Sequence, residues 1–206
     1  AFGWQDSGWP EWPYYRPVFF QAVENNLPII AANLDLKFIR KVIRQGEKTL
    51  PDDMQTLVKK YQYDKPVKQA LEQDILSAHC DMLPEKMLAP MLVGQQVRDL
   101  SMTQAMLSVL KEANQQGVIL IAGSGHTRKD FGVPFYLQKE APNFKIISIA
   151  FMEVQKDEFQ PESYAQGWAL KENSPLPFDY VWFTPKAERE DQCEKMKAHM
   201  KKKKEQ

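Results

Sequence analysis

The sequence predicts an α/β fold in which a sheet is flanked by helices, and three observations predict it. Short apolar runs bounded by polar residues (LPIIAAN, VILIA, KIISIAFMEV and DYVWFTP) have the length and β-branched content of buried strands. Segments of helical period alternate with them, the order that builds sheets with helices on their faces. The run VILIA, residues 118–122, passes directly into GSGH, a glycine bend of the kind found at the carboxyl edge of an open α/β sheet.

In chain order, residues 15–26 carry Val18, Phe19, Ala22 and Val23 at spacings that share one helical face, and two asparagines stop the helix. A strand at 27–33 follows. Asp35 stands where it caps the next helix, which presents Leu36, Ile39, Val42 and Ile43 and stops at Gly46. Pro51, Pro66 and Pro84 each open a segment of helical period, because a missing N–H costs least in a first turn. Residues 51–116 are therefore expected to form a helical insertion, its last helix running from Pro84 to about Gln116 and bending at Pro90 or Gly94. Strands at 118–122, 145–154 and 179–185 complete the sheet. The first of these is apolar on both faces, as a central strand covered on two sides would be. The reading is one domain over 1–185 and a tail over 186–206 with 8 basic and 5 acidic residues and too few apolar positions to pack. The tail reads as a solvated helix, with contact to lipid headgroups as the alternative.

Composition excludes several function classes. The 206 residues, 43% hydrophobic, support one substantial core. With 27 basic and 27 acidic residues the net charge is zero, so no global field draws the chain to nucleic acid. No run approaches the roughly 20 apolar residues that span a bilayer. Cys80 and Cys193 fit no metal or redox spacing and are too few for a disulfide framework, which leaves the redox compartment open. The opening AFGWQDSGWPEW has neither an initiator Met nor a signal peptide, as expected of a processed chain or a fragment of a longer one.

His126, one of three histidines, stands four residues beyond Ala122 and so belongs at the sheet rim. Gly123 and Gly125 permit a sharp turn and a close approach there. GSGHTR lacks the third glycine of GxGxxG, no GxxxxGK occurs, Ser124 is not flanked as in GxSxG, and HExxH and paired Cys/His spacings are absent. His126 is thus either a ligand-facing imidazole or a histidine hydrogen-bonded in a turn. His79, at an element end just before Pro84, is placed to reach the same rim. Gln95 and Arg98 share a helix stripe with Met91 and Met102, and Arg98 offers a fixed charge to a ligand carboxylate or to a neighbouring acid such as Asp99. Met82, Met87, Met91, Met102 and Met106 read as flexible core filling, with sulfur ligation of haem iron as the alternative.

SGWPEWPYYRPVFFQA, LPIIAANL, AHCDMLPE followed by QQVRD, GSGHTRKDFGVPFYL and DYVWFTP occur in one order, and together they resemble the ChaN family of haem-binding, iron-regulated bacterial lipoproteins. That family is itself similar in fold to the erythromycin esterase and TIKI/TraB protease-like groups. The resemblance extends to about Pro185. Gly123 to His126 looks like the second of two GxxH motifs, and the first, a GExH segment, is expected ahead of Ala1.

The resemblance implies binding of haem without turnover, and no catalytic residue, in a bacterial iron-uptake system. It implies an outer-membrane lipoprotein or periplasmic protein of the cell envelope, a homodimer, and an outer-membrane haem receptor as partner, with the membrane reached only through a lipid anchor absent from this chain. Ferric haem accepts a phenolate or imidazole ligand and carries propionates that favour basic residues. Tyr14, Tyr15 and Tyr136 are the phenolate candidates, His79 and His126 the imidazoles, and Arg98 and Arg128 the propionate partners. Tyr136 and His126 are the first choices for iron, Tyr136 because it follows the glycine bend closely; each tyrosine equally suits an amphipathic packing role. The alternative is a hydrolase, esterase-like or metal-dependent protease-like, with His126 and His79 as base or metal ligands.

Overall fold

The computed structural model describes residues 4, 9, 11–112, 117–165, 168, 175–188 and 191–204. The chain is a mixed, helix-rich structure with a small parallel sheet. Helix α1 (Trp12–Glu24) carries Pro13 in its first turn, begins earlier than its apolar spacing implies and ends before Asn25 and Asn26, the latter at φ 53°. Asp35 caps α2 (Leu36–Gln45) through the N–H groups of Lys37 at 2.8 Å and Phe38 at 3.2 Å, a contribution of about 1 kcal/mol. Gly46 ends α2 at φ 84°, a left-handed conformation that glycine adopts without steric cost.

The prolines open the next helices as expected: α3 (Asp52–Lys60) after Pro51, α4 (Lys65–Ala78) with Pro66 in its first turn, and α5 (Glu85–Lys111) after Pro84. Helix α5 runs continuously through both Pro90 and Gly94, and the expected end near Gln116 lies outside the described residues. Gly94 serves the packing of α2 on α5. A Cβ there would stand 2.9 Å from Cγ1 of Ile43, so its absence lets α2 cross α5 closely.

The core gathers around α5. Ile39, Val42, Leu50, Val58, Tyr61, Val97, Leu100 and Tyr136 form one cluster; Leu71, Ile75 and Phe131 form a second, on the α4 side. The third joins Met102 and Leu107 to Val133 and Leu137 of helix α7 (Val133–Glu140), which follows the short α6 (Ser124–Thr127). Met91, Met102 and Met106 lie in or against these clusters, as core filling requires.

Strand β1 (Ile149–Glu153) pairs in parallel with β2 (Tyr180–Thr184), in register from Ile149 opposite Tyr180 to Glu153 opposite Thr184; a small helix, α8 (Pro161–Ala165), lies in the crossover. Both strands are shorter than the apolar runs that contain them. At Ser148 the N–H donates to Oδ2 of Asp179 and the carbonyl accepts from Asp179 and Tyr180, so the ladder starts one residue later.

The expected strands at 27–33 and 118–122 carry no ladder. Residues 117–123 still alternate exposed and part-buried, the period of a strand, with Leu120 and Ala122 packed beside Ala32 and Ile146 against the α5 and α7 cluster. Helix packing satisfies their inward face without a neighbouring strand. The two-sided cover expected for 118–122 is therefore replaced by cover on one side, with Ile119 and Ile121 exposed.

In the tail, α9 (Gln192–Lys204) forms, and a disulfide joins Cys193 to Cys80 across 113 residues, with Cα atoms 5.6 Å apart. Spacing alone left this pairing open. Among the described residues no helix is long and apolar enough to cross a membrane.

Candidate functional site

Helix α6 is a single turn, and its task is to set His126 against α5. The turn succeeds because two positions lack side chains. A Cβ on Gly125 would stand 2.9 Å from Oδ2 of Asp74, and one on Gly132 would stand 2.5 Å from the His126 carbonyl oxygen and 2.8 Å from that of Arg128. Neither residue has a positive φ, so close packing, not backbone conformation, requires glycine there. Ser148 anchors the far side by donating its hydroxyl to the Thr127 carbonyl, which ties α6 to the start of β1.

His126 Nδ1 lies 2.6 Å from Oδ1 of Asp99, and the side-chain amide of Gln95 lies 2.9 Å from the same nitrogen. Asp99 is 0% exposed and His126 only 8%. Burial pushes the Asp99 carboxyl up to about 6, against smaller opposing effects from His126, Arg98 and Gln95. With Asp99 ionised, Nδ1 carries the proton that the carboxylate accepts, so the Gln95 amide nitrogen, itself a donor, makes no hydrogen bond to that nitrogen, and the Nε2 lone pair stands outside the pair. The second Asp99 oxygen, Oδ2, is buried without a hydrogen-bond partner. Nearby Asp74 is also raised, chiefly by burial, with Arg128 and His126 acting against it and Asp130 reinforcing it.

The other sequence-predicted residues separate into distinct environments. Arg128 is clamped by Asp130, with Nε 3.0 Å and Nη2 2.7 Å from its two oxygens; Nη2 also donates to the Trp168 carbonyl, and the guanidinium stacks 4.4 Å from the Phe131 ring centre. Its charge is thus already matched inside the fold. Arg98 is part-buried with its Nε donating to Oδ1 of Asn33 at 3.3 Å, and among the described residues no carboxylate pairs with it. Burial lowers the Arg98 pKa, against the pull of Asp99.

Tyr136 is fully buried on α7, edge-on to Tyr61, and its hydroxyl meets that of Tyr63. Tyr63 donates to the Phe131 carbonyl at 2.9 Å, so Tyr136 is the donor within the pair. Burial pushes both phenols far up, which keeps them neutral. Tyr15 packs among Trp4 and Trp9, with ring centres 5.1 and 4.8 Å away, while Tyr14 is exposed on α1. Beside them a concave surface is lined by Trp12, Pro13, Arg16, Pro17 and Phe20. His79 closes α4 and its Nδ1 lies 2.7 Å from the Ile75 carbonyl of the same helix.

The structure thus brings His126 together with Gln95 and Asp99, and places Tyr14, Tyr15, Tyr136 and His79 in other surroundings. Asp99 is the residue of this candidate site that sequence reasoning missed, having entered only as a partner for Arg98. The available signal was its spacing: Gln95 and Asp99 are one helical turn apart and face the same neighbour. Asp74 gave no comparable signal. Among the described residues no group of three or more His, Cys, Asp or Glu side chains is arranged to hold a metal ion.

Compared with known proteins, residues 1–137 match a family model described as haem-binding uptake, Tiki superfamily, ChaN. The match takes in Asp99, His126 and Tyr136 and stops short of Pro185, where the resemblance read from the sequence ends. No curated protein and no solved structure matches the chain.

Proposed function

The chain belongs to the ChaN family of haem-binding uptake proteins in the Tiki superfamily, and from that premise we propose that it binds haem without turnover in a bacterial iron-uptake system. The observation that carries the reading is the buried Asp99–His126 pair. A carboxylate on one ring nitrogen is the arrangement that orients the other toward a metal and raises its basicity. His126 would therefore hold haem through Nε2, our first choice for iron, and the haem iron would supply a centre that accepts that nitrogen as a ligand. Arg98, whose partner is a neutral amide, suits a propionate better than Arg128, which Asp130 already neutralises. A Tyr136 ligand requires its hydroxyl to leave Tyr63, and exposed Tyr14 and part-buried Tyr15 are the phenols nearer solvent.

The same reading keeps the α/β domain over 1–185, helices 51–116 as its insertion and 186–206 as a tail. It keeps the envelope location, an outer-membrane lipoprotein or periplasmic protein, with a homodimer and an outer-membrane haem receptor as partners. The Cys80–Cys193 bridge supports an oxidising compartment such as the periplasm. Titration of the purified chain with ferric haem tests the proposal. A saturable visible band that His126→Ala shifts or abolishes is expected, and a band indifferent to His126→Ala, Tyr14→Phe, Tyr15→Phe and Tyr136→Phe overturns the ligand assignment.

A second reading rests on the same pair. A carboxylate-oriented imidazole is also the general base of a hydrolase, and ester or peptide turnover without haem, lost in His126→Ala, favours that reading.

A further inference from the structure

Two arginines stand near the His126 site, and the fold treats them in opposite ways. Arg128 is neutralised by Asp130, whose two oxygens take its Nε and Nη2, and Nη2 also donates to the Trp168 carbonyl. Arg98 meets a neutral group instead: its Nε donates to Oδ1 of Asn33 at 3.3 Å. Among the described residues its Nη1 and Nη2 have no partner, and neither is sealed from solvent. A part-buried guanidinium without a counter-charge gains from any carboxylate that reaches it. Asp35, the next acid along the chain from Asn33, is occupied through Oδ1 as the cap of α2.

Asn33 is itself held in place. Its Oδ1 also accepts the Leu34 N–H at 2.9 Å, and Leu34 packs against the core cluster that contains Ile39 and Val97. Ser101, one turn beyond Arg98, donates its hydroxyl to the Ala32 carbonyl at 3.2 Å. Residues 32–34, which join no strand, are thereby fastened along α5. The consequence falls on Arg98. With Nε engaged by a fixed acceptor, the side-on approach that uses Nε is closed, and the guanidinium presents Nη1 and Nη2 end-on as a two-pronged donor. Gln95, one turn back on α5, lies 2.9 Å from His126 Nδ1, and Asp99 follows Arg98 in the chain, so the fork stands beside the imidazole site.

We propose that Arg98 and Asn33 form a subsite for one carboxylate, in which Asn33 is a positioning residue that turns the Arg98 fork outward, and that a porphyrin propionate is the carboxylate it takes. The ligand rests on the haem-binding reading, but nothing here depends on His126 as the iron ligand. Asparagine suits this task where aspartate does not: it offers Nε an acceptor oxygen without cancelling the charge, as Asp130 cancels that of Arg128. Because the fork is set before the ligand arrives, little side-chain freedom is lost on binding.

Iron-free protoporphyrin and its dimethyl ester, titrated against the full chain by quenching of tryptophan fluorescence, test this with no metal ligand involved. Wild type should bind the free acid about 10–100-fold more tightly than the ester. Asn33→Ala and Arg98→Lys should each cut that preference to a few-fold and leave the affinity for the ester unchanged. Asn33→Asp keeps the acceptor oxygen and the Leu34 contact but adds a charge, so it should remove the preference altogether, whereas a merely structural Asn33 would tolerate it. Equal binding of acid and ester by wild type overturns the proposal. So does an Asn33→Ala variant that weakens both alike, or an Asn33→Asp variant that keeps the full preference. In a second arm the Arg98 Nε–H resonance is followed by nuclear magnetic resonance while sodium propionate is added, and a saturable shift in wild type, absent from Asn33→Asp, is expected. If neither porphyrin binds, the haem reading fails and this arm decides: a shift keeps the subsite with a free carboxylate as its ligand, and no shift overturns it.

Discussion

Asp99 and His126, 27 residues apart in the chain, are joined by a 2.6 Å hydrogen bond inside a site that almost excludes water. The bond ties the middle of the longest helix to the one-turn helix after the glycine bend, so the imidazole is held by the core, not by its own loop. Four expectations follow from this arrangement and from the packing around it.

Asp99→Asn preserves shape but removes the charge that fixes the His126 tautomer. Ferric haem affinity should fall about 10–100-fold, the usual effect of losing such a partner, while Asp99→Glu, with its carboxyl displaced, should lose an intermediate amount. The visible titration reads both. An unchanged affinity in Asp99→Asn would mean that the pair only packs.

Stability should depend on pH through Asp99. Its folded pKa of about 6 lies above the unfolded 3.8, so between those values the folded state holds a proton that the unfolded state releases. Stability from this group is therefore greatest at low pH, falls as pH rises through the window, and is lowest above about 6. The difference amounts to roughly 2–3 kcal/mol. Urea denaturation at pH 4.5 and pH 7 should show that slope in wild type and not in Asp99→Asn.

Gly132→Ala should be one of the costliest small substitutions in the chain. Its Cβ would fall on the carbonyl oxygen of His126, and backbone cannot move aside as a flexible side chain can. A loss of about 2–3 kcal/mol is expected, lowering the melting temperature by roughly 5–10 °C. Gly117→Ala, which meets nothing within 4 Å, is the control and should melt like wild type.

Reduction of Cys80–Cys193 should destabilise the fold by up to about 4–5 kcal/mol, the chain-entropy value for a loop this long. Melting with and without a thiol reductant measures it. Cys80→Ser with Cys193→Ser should match the reduced protein, and a reduced protein as stable as the oxidised one would show that the bridge constrains little.

Much of this fold was legible because local chemistry had a local outcome. Asp35 capped α2, Gly46 ended it, and three prolines opened three helices, each effect lying within one turn of the residue that causes it. The sheet was legible only where partners existed. VILIA and LPIIAAN have strand composition, but composition cannot report whether a neighbour offers its N–H and C=O groups, and among the described residues none does. A sharp turn and a close approach were expected at Gly123 and Gly125; the close approach holds at Gly125, beside Asp74, whereas Gly132, crowded by the His126 and Arg128 carbonyls, gave no signal in its own segment. His126 could be singled out from one segment. Its orientation by Asp99 could not, because that contact depends on how α5 and α6 meet.

The bridge between Cys80 and Cys193 turns the intervening chain into a closed covalent loop that holds Asp99, His126 and both strands. One proteolytic cut anywhere within it would open the loop without releasing a fragment, so the two sides of the imidazole site would stay on a single molecule. Damage that would dismember a linear chain would here need either a second cut or a reductant.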